Sequence, residues 1–254
     1  MSAARPLVRA EAGDDAETTI TIDRPERLNA LSLPTITALK DVFVAVAADV
    51  DTRVVILTGA GRGFSAGLDL KASGSSPVSA GLDGVAAAMR GQAYFADVVQ
   101  TLRAVPQPVI AAINGVAVGG GFALTMGCDL RLAAASARFN VQALRIGLSA
   151  GESGLSFLLP RLVPASVAFE WLLTNRFVDA AEAERVGLVA RTVPDADLLA
   201  VAGTVAAELA RHDRDALCLA KTTMWANLVA PSLDAALALE TRAWTLPGGT
   251  DDDR

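Results

Sequence analysis

The fold is decided by an uncharged stretch, Pro108-Val109-Ile110-Ala111-Ala112-Ile113-Asn114-Gly115-Val116-Ala117-Val118-Gly119-Gly120-Gly121-Phe122-Ala123. Its first part is apolar and β-branched, which predicts a buried strand, and three glycines then open an apolar helix. Such a junction offers only backbone N–H groups as functional chemistry, and these suit an oxyanion or another anionic group. We therefore expect the chemistry of this protein to begin with its backbone.

The same uncharged region continues to Cys128 and is long enough on paper to span a bilayer. Asn114 and the glycine triplet interrupt it, and no lysine or arginine asymmetry flanks it. A buried strand followed by a buried helix is the favoured interpretation. We expect no membrane partner.

Composition limits the possible functions. With 254 residues, 52% of them hydrophobic, the chain can bury a full core. Its 22 basic and 28 acidic residues give a net charge of −6, and the absence of a basic stripe argues against nucleic acid as a partner. Cys128, Cys218 and the single histidine provide neither a zinc site nor a disulfide framework. We therefore expect no metal. Because no secretory signal is visible, we also expect the protein to be cytoplasmic.

The periodicity of apolar residues outlines the architecture. It predicts strands at Glu17–Ile22, Val54–Leu57 and Asp129–Ala133, and a helix capped by Ser32 whose apolar stripe ends at Val50. The segment from Ala72 to Gly84 is rich in Ser, Gly and Pro and predicts a loop that covers a ligand. From Pro194 onward the pattern is entirely helical. These elements predict an α/β core with parallel strands, followed by a helical appendage.

The loop after the strand at Val54–Leu57 permits three interpretations. It reads Thr58-Gly59-Ala60-Gly61-Arg62-Gly63-Phe64-Ser65-Ala66-Gly67-Leu68-Asp69-Leu70. The first interpretation is a dinucleotide fingerprint, whose glycines let a pyrophosphate approach a helix N-terminus. Short-chain dehydrogenases, which this loop resembles, also need a Tyr-x-x-x-Lys pair, but Tyr94 has Val98 at the fourth position after it. That departure counts against a dinucleotide site.

The second interpretation is a nucleophile elbow. Gly63-Phe64-Ser65-Ala66-Gly67 matches Gly-x-Ser-x-Gly, and His212 follows Ser65 in the chain order of α/β-hydrolases. His212 lies in a charged run typical of a solvated loop, and no oxyanion segment precedes Ser65. A serine hydrolase that uses Ser65 stays a minor alternative.

The third interpretation combines four segments that occur in order along the chain. They are Arg24-Pro25-Glu26-Arg27-Leu28-Asn29-Ala30-Leu31, Gly63 to Leu70, Ile113 to Gly121, and Leu158-Leu159-Pro160-Arg161-Leu162. Together they closely resemble the crotonase (enoyl-CoA hydratase/isomerase) family from about Ile20 to Trp244. The resemblance implies a crotonase-like spiral of ββα units in residues 1–193 and a helical trimerisation subdomain in residues 194–254.

Coenzyme A thioester chemistry follows from this resemblance. It implies that the N–H groups of Leu68 and Gly120 hold the thioester oxygen of an acyl-CoA or enoyl-CoA substrate. The residues implied to line the coenzyme are Arg27, Leu28, Ala30, Ala66, Gly67, Leu68, Asp69, Leu70, Gly119 and Gly120. Arg24, Arg27, Arg62 and Lys71 supply local positive charge for its phosphates. Coenzyme A is expected only as part of the substrate, with no tightly bound cofactor.

The sequence departs from the family pattern at two positions. Where a hydratase of this family carries its two catalytic glutamates, this chain has Ala123 and Ala143. Water addition needs one group that activates water and another that protonates the α-carbon, and a methyl group does neither. Two-glutamate hydration is therefore not the expected chemistry.

Glu152 is the only acidic residue between Asp129 and Glu170. By the resemblance it falls where dienoyl-CoA isomerases and chlorobenzoyl-CoA dehalogenases keep a functional aspartate. A single carboxylate with a raised pKa could move a proton between carbons of an enolate, which is isomerase chemistry. Glu152 could instead act as a nucleophile or cap a helix near Ser153.

The resemblance also implies a homotrimer or a hexamer. Two kinds of function are then possible. The first is an enzyme of fatty-acid metabolism with isomerase-type, single-carboxylate chemistry on Leu68, Gly120 and Glu152. The alternative is a protein of the same fold that binds and delivers acyl-CoA without converting it.

Overall fold

The helices and strands were located in a computed structural model, which describes residues 5–69, 71, 83–147, 149, 151 and 153–244, except for the side chains at 88, 146 and 244. In chain order they are β1 (Val8–Ala12), β2 (Glu17–Ile22), α1 (Leu33–Ala48), β3 (Val54–Gly59), β4 (Gly63–Ser65), α2 (Gly84–Arg103), β5 (Val109–Ile113), β6 (Val116–Val118), α3 (Gly120–Gly127), β7 (Leu130–Ala134), β8 (Arg138–Asn140), α4 (Leu155–Leu162), α5 (Ala165–Thr174), β9 (Val178–Asp179), α6 (Ala180–Arg185), β10 (Arg191–Val193), α7 (Leu198–Ala210), α8 (Arg214–Asn227) and α9 (Leu233–Trp244). The predicted loop falls mostly at residues 72–82, outside the described part.

The larger sheet has the strand order β1-β2-β3-β5-β7-β10. Its neighbouring strands are parallel except for the pair β1 and β2. Every residue of β3 and β5 is buried, as expected for parallel strands covered on both faces. The predicted α/β core with parallel pairing is therefore confirmed.

Helix α1 begins where the sequence predicts it. The Ser32 hydroxyl accepts the N–H of Thr35 at 3.4 Å, and Pro34 occupies the first turn, where a missing N–H costs nothing. The helix buries one stripe in the main core, namely Ile36, Leu39, Phe43 and Val46. Val50 lies beyond the end of α1 and is 68% exposed, so its predicted place in this stripe was wrong.

The uncharged stretch forms three buried elements in succession, β5, β6 and α3. Strand β6 belongs to a smaller sheet with the order β4-β6-β8-β9. The Asn114 amide donates to the carbonyls of Gly59 and Gly61 at 2.7 and 2.8 Å, and so fastens the loop after β3 to the turn after β5. No helix in the described ranges is long and apolar enough to cross a membrane.

The C-terminal third packs partly on the core and partly on itself. Helix α7 covers the second face of the larger sheet with Leu198, Ala202 and Ala206. Helix α8 is tied to the core by Lys221, whose ammonium donates to the Gln107 carbonyl at 2.9 Å and pairs with Asp129 at 2.8 Å. The expected division at residue 193 stays a prediction, and α7 is an integral layer of the core.

Candidate active site

The turn at Ala66–Leu68 is paired with the segment that precedes α1. The Ala66 N–H donates to the Leu28 carbonyl at 2.9 Å, and the Leu31 N–H donates to the Gly67 carbonyl at 2.7 Å. The Asp69 N–H in turn donates to the Leu31 carbonyl at 3.1 Å, so Leu31 and Leu68 form a parallel bridge. In this pattern the N–H and the carbonyl of Leu31 both bond to the neighbours of Leu68, and Leu68 itself bonds to neither. The Leu68 N–H therefore points away from Leu31.

Gly67 brings this turn against the start of α3. Its φ is +79°, a value that favours glycine, and a Cβ at this position would lie 2.5 Å from the Val118 carbonyl oxygen. The same Cβ would lie 3.4 Å from the Gly120 nitrogen. Absence of a side chain at Gly67 therefore allows Leu68 and Gly120 to lie on facing segments.

Helix α3 starts at Gly120 with free backbone donors. The preceding residue, Gly119, has a φ of 51° and donates its N–H to the Asn140 carbonyl at 2.9 Å. First-turn N–H groups of a helix have no partner within the helix. In the part of the chain that the structure describes, the N–H groups of Gly120 and Leu68 donate to no protein acceptor. Two unpartnered donors thus sit on adjoining segments.

The side chains at the two positions where the chain lacks a family glutamate are apolar. Ala123, on α3, and Ala143, after β8, are buried in the main core and present only methyl groups. Leu31 approaches Gly120, with its Cδ1 3.3 Å from the position of a Cβ there. Ala123 and Ala143 therefore cannot act as proton carriers, because a methyl group cannot exchange a proton.

Arg24 and Asp69 form an ion pair that joins the two walls of the site. The closest N–O distance is 3.0 Å, and the side chains are only 15% and 8% exposed. The Arg24 guanidinium also donates to the Ala30 carbonyl at 2.5 Å. The Arg24 guanidinium is therefore already engaged by acceptors of the protein. This corrects the prediction that Arg24 supplies charge for the phosphates of the coenzyme. The other predicted cations, Arg27, Arg62 and Lys71, are exposed.

Asn29 organises the site, although the local sequence indicates no role for its side chain. It is fully buried, and its amide nitrogen donates to the carbonyls of Ala60 and Gly63 at 2.9 and 2.6 Å. Its amide oxygen accepts the Arg24 N–H at 2.9 Å. Only its residue type hints at this turn, since Asn tolerates the left-handed φ of 56° that it adopts here.

The nucleophile elbow is not supported by the geometry. Ser65 is fully buried, and its hydroxyl donates to the Asn29 carbonyl at 2.8 Å. His212 lies beside Arg53, before β3, whereas Ser65 follows β3, a strand about 20 Å long. A base that far away cannot take the Ser65 proton, so the serine hydrolase alternative was wrong.

The dinucleotide fingerprint also fails in the structure. The glycine loop after β3 leads into a short strand, β4, and not into a helix. The residues directly after the loop, 63–65, therefore offer a pyrophosphate no helix N-terminus, which is what that motif requires.

The remaining predicted residues divide into those that the structure brings together and those that it does not describe. Three facing segments hold Arg27, Leu28, Ala30, Ala66, Gly67, Leu68, Asp69, Gly119 and Gly120. Leu70 and Glu152 lie outside the described residues. Next to Glu152, α4 begins after Gly154, which has no side chain to cap it, and α4 packs against α3.

Comparison with known proteins shows the family of the chain. The family described as Enoyl-CoA hydratase/isomerase matches residues 15–253. The probable enoyl-CoA hydratase EchA12 of Mycobacterium tuberculosis is 46% identical over 221 residues, which cover 87% of this chain and 78% of that protein.

Two solved structures agree with this match in fold. A probable enoyl-CoA hydratase/isomerase from Mycobacterium abscessus is 38% identical, with a TM-score of 0.87 over 94% of this chain and 88% of that one. A monofunctional enoyl-CoA isomerase from M. smegmatis is 40% identical, with a TM-score of 0.78 over 92% and 99%. The chain therefore belongs to the enoyl-CoA hydratase/isomerase family and has the crotonase fold.

Proposed function

We propose that the chain binds an acyl-CoA or enoyl-CoA thioester and holds its carbonyl oxygen between the N–H groups of Leu68 and Gly120. Support comes from one observation: two unpartnered backbone donors lie on segments that Gly67 allows to meet. Each donor aimed at a developing enolate oxygen stabilises the transition state by roughly 3 kcal/mol. Side-chain identity at Leu68 matters little in such a site.

The coenzyme reaches this site along the segment before α1. Leu28 and Ala30 form one wall, and Ala66 faces them through its hydrogen bond to Leu28. Exposed Arg27 and Arg62 supply the positive charge that phosphates need on a chain whose net charge is −6. Coenzyme A arrives and leaves as part of the substrate, and no tightly bound cofactor takes part.

The reaction that we propose is a double-bond shift with one proton carrier, Glu152. Its carboxylate removes a proton from the substrate carbon chain, the two N–H groups hold the enolate oxygen, and the same carboxyl group returns the proton to another carbon. Hydration would need a second acid or base, and Ala123 and Ala143 supply none. Similarity to the M. smegmatis enoyl-CoA isomerase supports this chemistry within fatty-acid metabolism.

A panel of 2-enoyl, 3-enoyl and dienoyl thioesters tests the reaction. The wild-type chain should convert a 3-enoyl to a 2-enoyl thioester, and Glu152→Gln should lose at least about a hundredfold in kcat while it still binds. The matched control is Glu208→Gln, because Glu208 is an exposed carboxylate on α7. Binding without turnover on every thioester would make the chain a carrier, and equal turnover by Glu152→Gln would remove Glu152 from the mechanism.

We also propose that the chain forms a homotrimer or a hexamer. Helices α8 and α9 and the residue that follows α8 expose several large apolar side chains, namely Met224, Leu228, Leu233 and Leu237. Exposed apolar side chains of this kind favour contact with another copy. Light scattering after gel filtration should give three or six chain masses, and a monomer at micromolar concentration contradicts the proposal.

The expected cytoplasmic location stays a prediction.

A further inference from the structure

Ser65 occupies a central position that the proposed reaction does not use. Its hydroxyl has both of its hydrogen-bonding functions engaged: it donates to the Asn29 carbonyl at 2.8 Å and accepts the Gly67 N–H at 3.2 Å. A buried hydroxyl with these two partners is held in one orientation. It is therefore part of the framework around the Ala66–Leu68 turn.

Ser65 also contacts the helix that carries the second donor. A Cβ on Gly121 would lie 2.7 Å from the Ser65 Cβ and 2.9 Å from its Oγ, so the serine side chain packs directly on the first turn of α3. One side chain thus touches the turn before Leu68 and the helix start that contains Gly120.

The two peptide units of Gly67 are fixed from opposite sides. Its N–H is held by Ser65, and its carbonyl accepts the Leu31 N–H at 2.7 Å. Because the peptide bond is planar and trans, fixing the Gly67 carbonyl also aims the Leu68 N–H. Gly67 has no side chain to restrict its own backbone, so these two hydrogen bonds act directly on its direction.

We propose that Ser65 is a positioning residue that holds the Leu68 N–H in register with the Gly120 N–H. This inference rests on the proposed thioester site. Loss of the hydroxyl frees the Gly67 N–H to rotate, and the pair of donors then fits the enolate oxygen less well. Misplacement of a catalytic group by about 1 Å can cost a hundredfold in rate.

The test compares Ser65→Ala and Ser65→Cys with Thr58→Val. Thr58 is the matched control, because its buried hydroxyl also donates to a main-chain carbonyl, that of Ala112, at 2.8 Å. Steady-state kinetics with a 3-enoyl thioester give kcat and KM. Infrared difference spectra of the bound thioester, labelled with ¹³C at the carbonyl, report how strongly the donors polarise it.

We expect kcat to fall about 10- to 100-fold in Ser65→Ala, with KM changed less than about threefold. The carbonyl stretch should move back toward its frequency in solution, and Ser65→Cys should lie between wild type and Ser65→Ala, since a thiol is a weaker partner. Thr58→Val should keep the wild-type frequency and kcat. A merely structural role for Ser65 lowers the melting temperature but leaves the frequency unchanged.

A wild-type frequency and kcat in Ser65→Ala would overturn the positioning role. If that variant does not fold, wild-type values in Ser65→Cys overturn it instead. An unshifted carbonyl in the wild-type complex is a different result, because it removes the thioester site itself and not only the role of Ser65.

Discussion

Gly67 lies so close to Val118 that a methyl group on its Cα would sit 2.5 Å from the Val118 carbonyl oxygen. This contact is the junction between the Ala66–Leu68 turn and the start of α3, and it places the Leu68 and Gly120 donors on facing segments. The arrangement makes the two amides interdependent, because any added volume at Gly67 separates them.

Gly67→Ala should therefore lose both activity and stability. The substitution adds the strain of a φ of +79° and a collision with backbone, and we expect kcat/KM to fall at least about a hundredfold. Gly187→Ala is the control, since Gly187 has a φ of +85° but open space around its Cα. Both variants should share the loss from backbone strain, roughly 1 kcal/mol, and only Gly67→Ala should lose turnover. Equal turnover in the two variants contradicts the close approach.

Two adjacent glycines of α3 should respond differently to alanine. A Cβ on Gly121 would lie 2.5 Å from the Ser65 carbonyl oxygen, whereas one on Gly120 meets only the end of the Leu31 side chain at 3.3 Å. Gly121→Ala should destabilise the fold by roughly 2–3 kcal/mol or prevent folding, and Gly120→Ala by less than about 1 kcal/mol. Urea unfolding of the two variants measures the difference, and the reverse order would show that α3 starts in another position.

The ion pair between Arg24 and Asp69 should contribute to stability. Asp69→Asn leaves a mostly buried guanidinium without its carboxylate, which should cost about 3 kcal/mol. Asp97→Asn is the comparison, because Asp97 pairs with Lys40 on the surface and is 48% exposed. Its loss should cost less than about 1 kcal/mol. Chemical unfolding of both variants decides, and similar losses would mean that the Arg24 pair is effectively solvated.

The two cysteines should differ in reactivity. Burial raises the pKa of the Cys128 thiol to about 12, so almost none of it is thiolate at pH 8. Cys218 is partly exposed on α8, and burial raises the pKa of its thiol as well. A thiol reagent at pH 8 should modify Cys218 slowly and reach Cys128 only after unfolding. Cys218→Ser should then show no reaction in the native state, and a reactive thiol in that variant contradicts the burial of Cys128.

Much of the main sheet could be predicted from local sequence. Glu17–Ile22 alternates and Val54–Leu57 is continuously apolar, and both segments are strands in the larger sheet. Strand β1 escaped prediction because it is an edge strand, in which Arg9 and Glu11 face solvent or an ion pair and give no apolar pattern. The strands of the smaller sheet are too short to show a period.

The candidate site was predictable only where glycine marks it. Gly67 and Gly119–Gly121 indicate that backbone segments approach each other closely, because a positive φ and tight contact both favour glycine. The contributions of Asn29 and Ser65 could not be read from the sequence, because they depend on partners far away in the chain: Asn29 binds the carbonyl of Gly63, and Ser65 that of Asn29. Side-chain hydrogen bonds of this kind follow from the fold and leave no local pattern.

Replacement of the Leu68 amide by an ester tests the central claim most directly. Incorporation of the α-hydroxy acid analogue of leucine at position 68 removes the N–H and keeps the side chain. An ester at Val50, made with the α-hydroxy acid analogue of valine, is the control, because this exposed residue lies between α1 and β3 and its N–H donates to no acceptor among the described residues.

The carbonyl stretch of a bound, ¹³C-labelled enoyl-CoA is the quantity to measure. We expect it to lie well below the solution frequency in wild type and in the Val50 ester, and to move back toward that frequency in the Leu68 ester, with kcat about a hundredfold lower. A frequency and a kcat unchanged by the Leu68 ester would contradict the two-donor site.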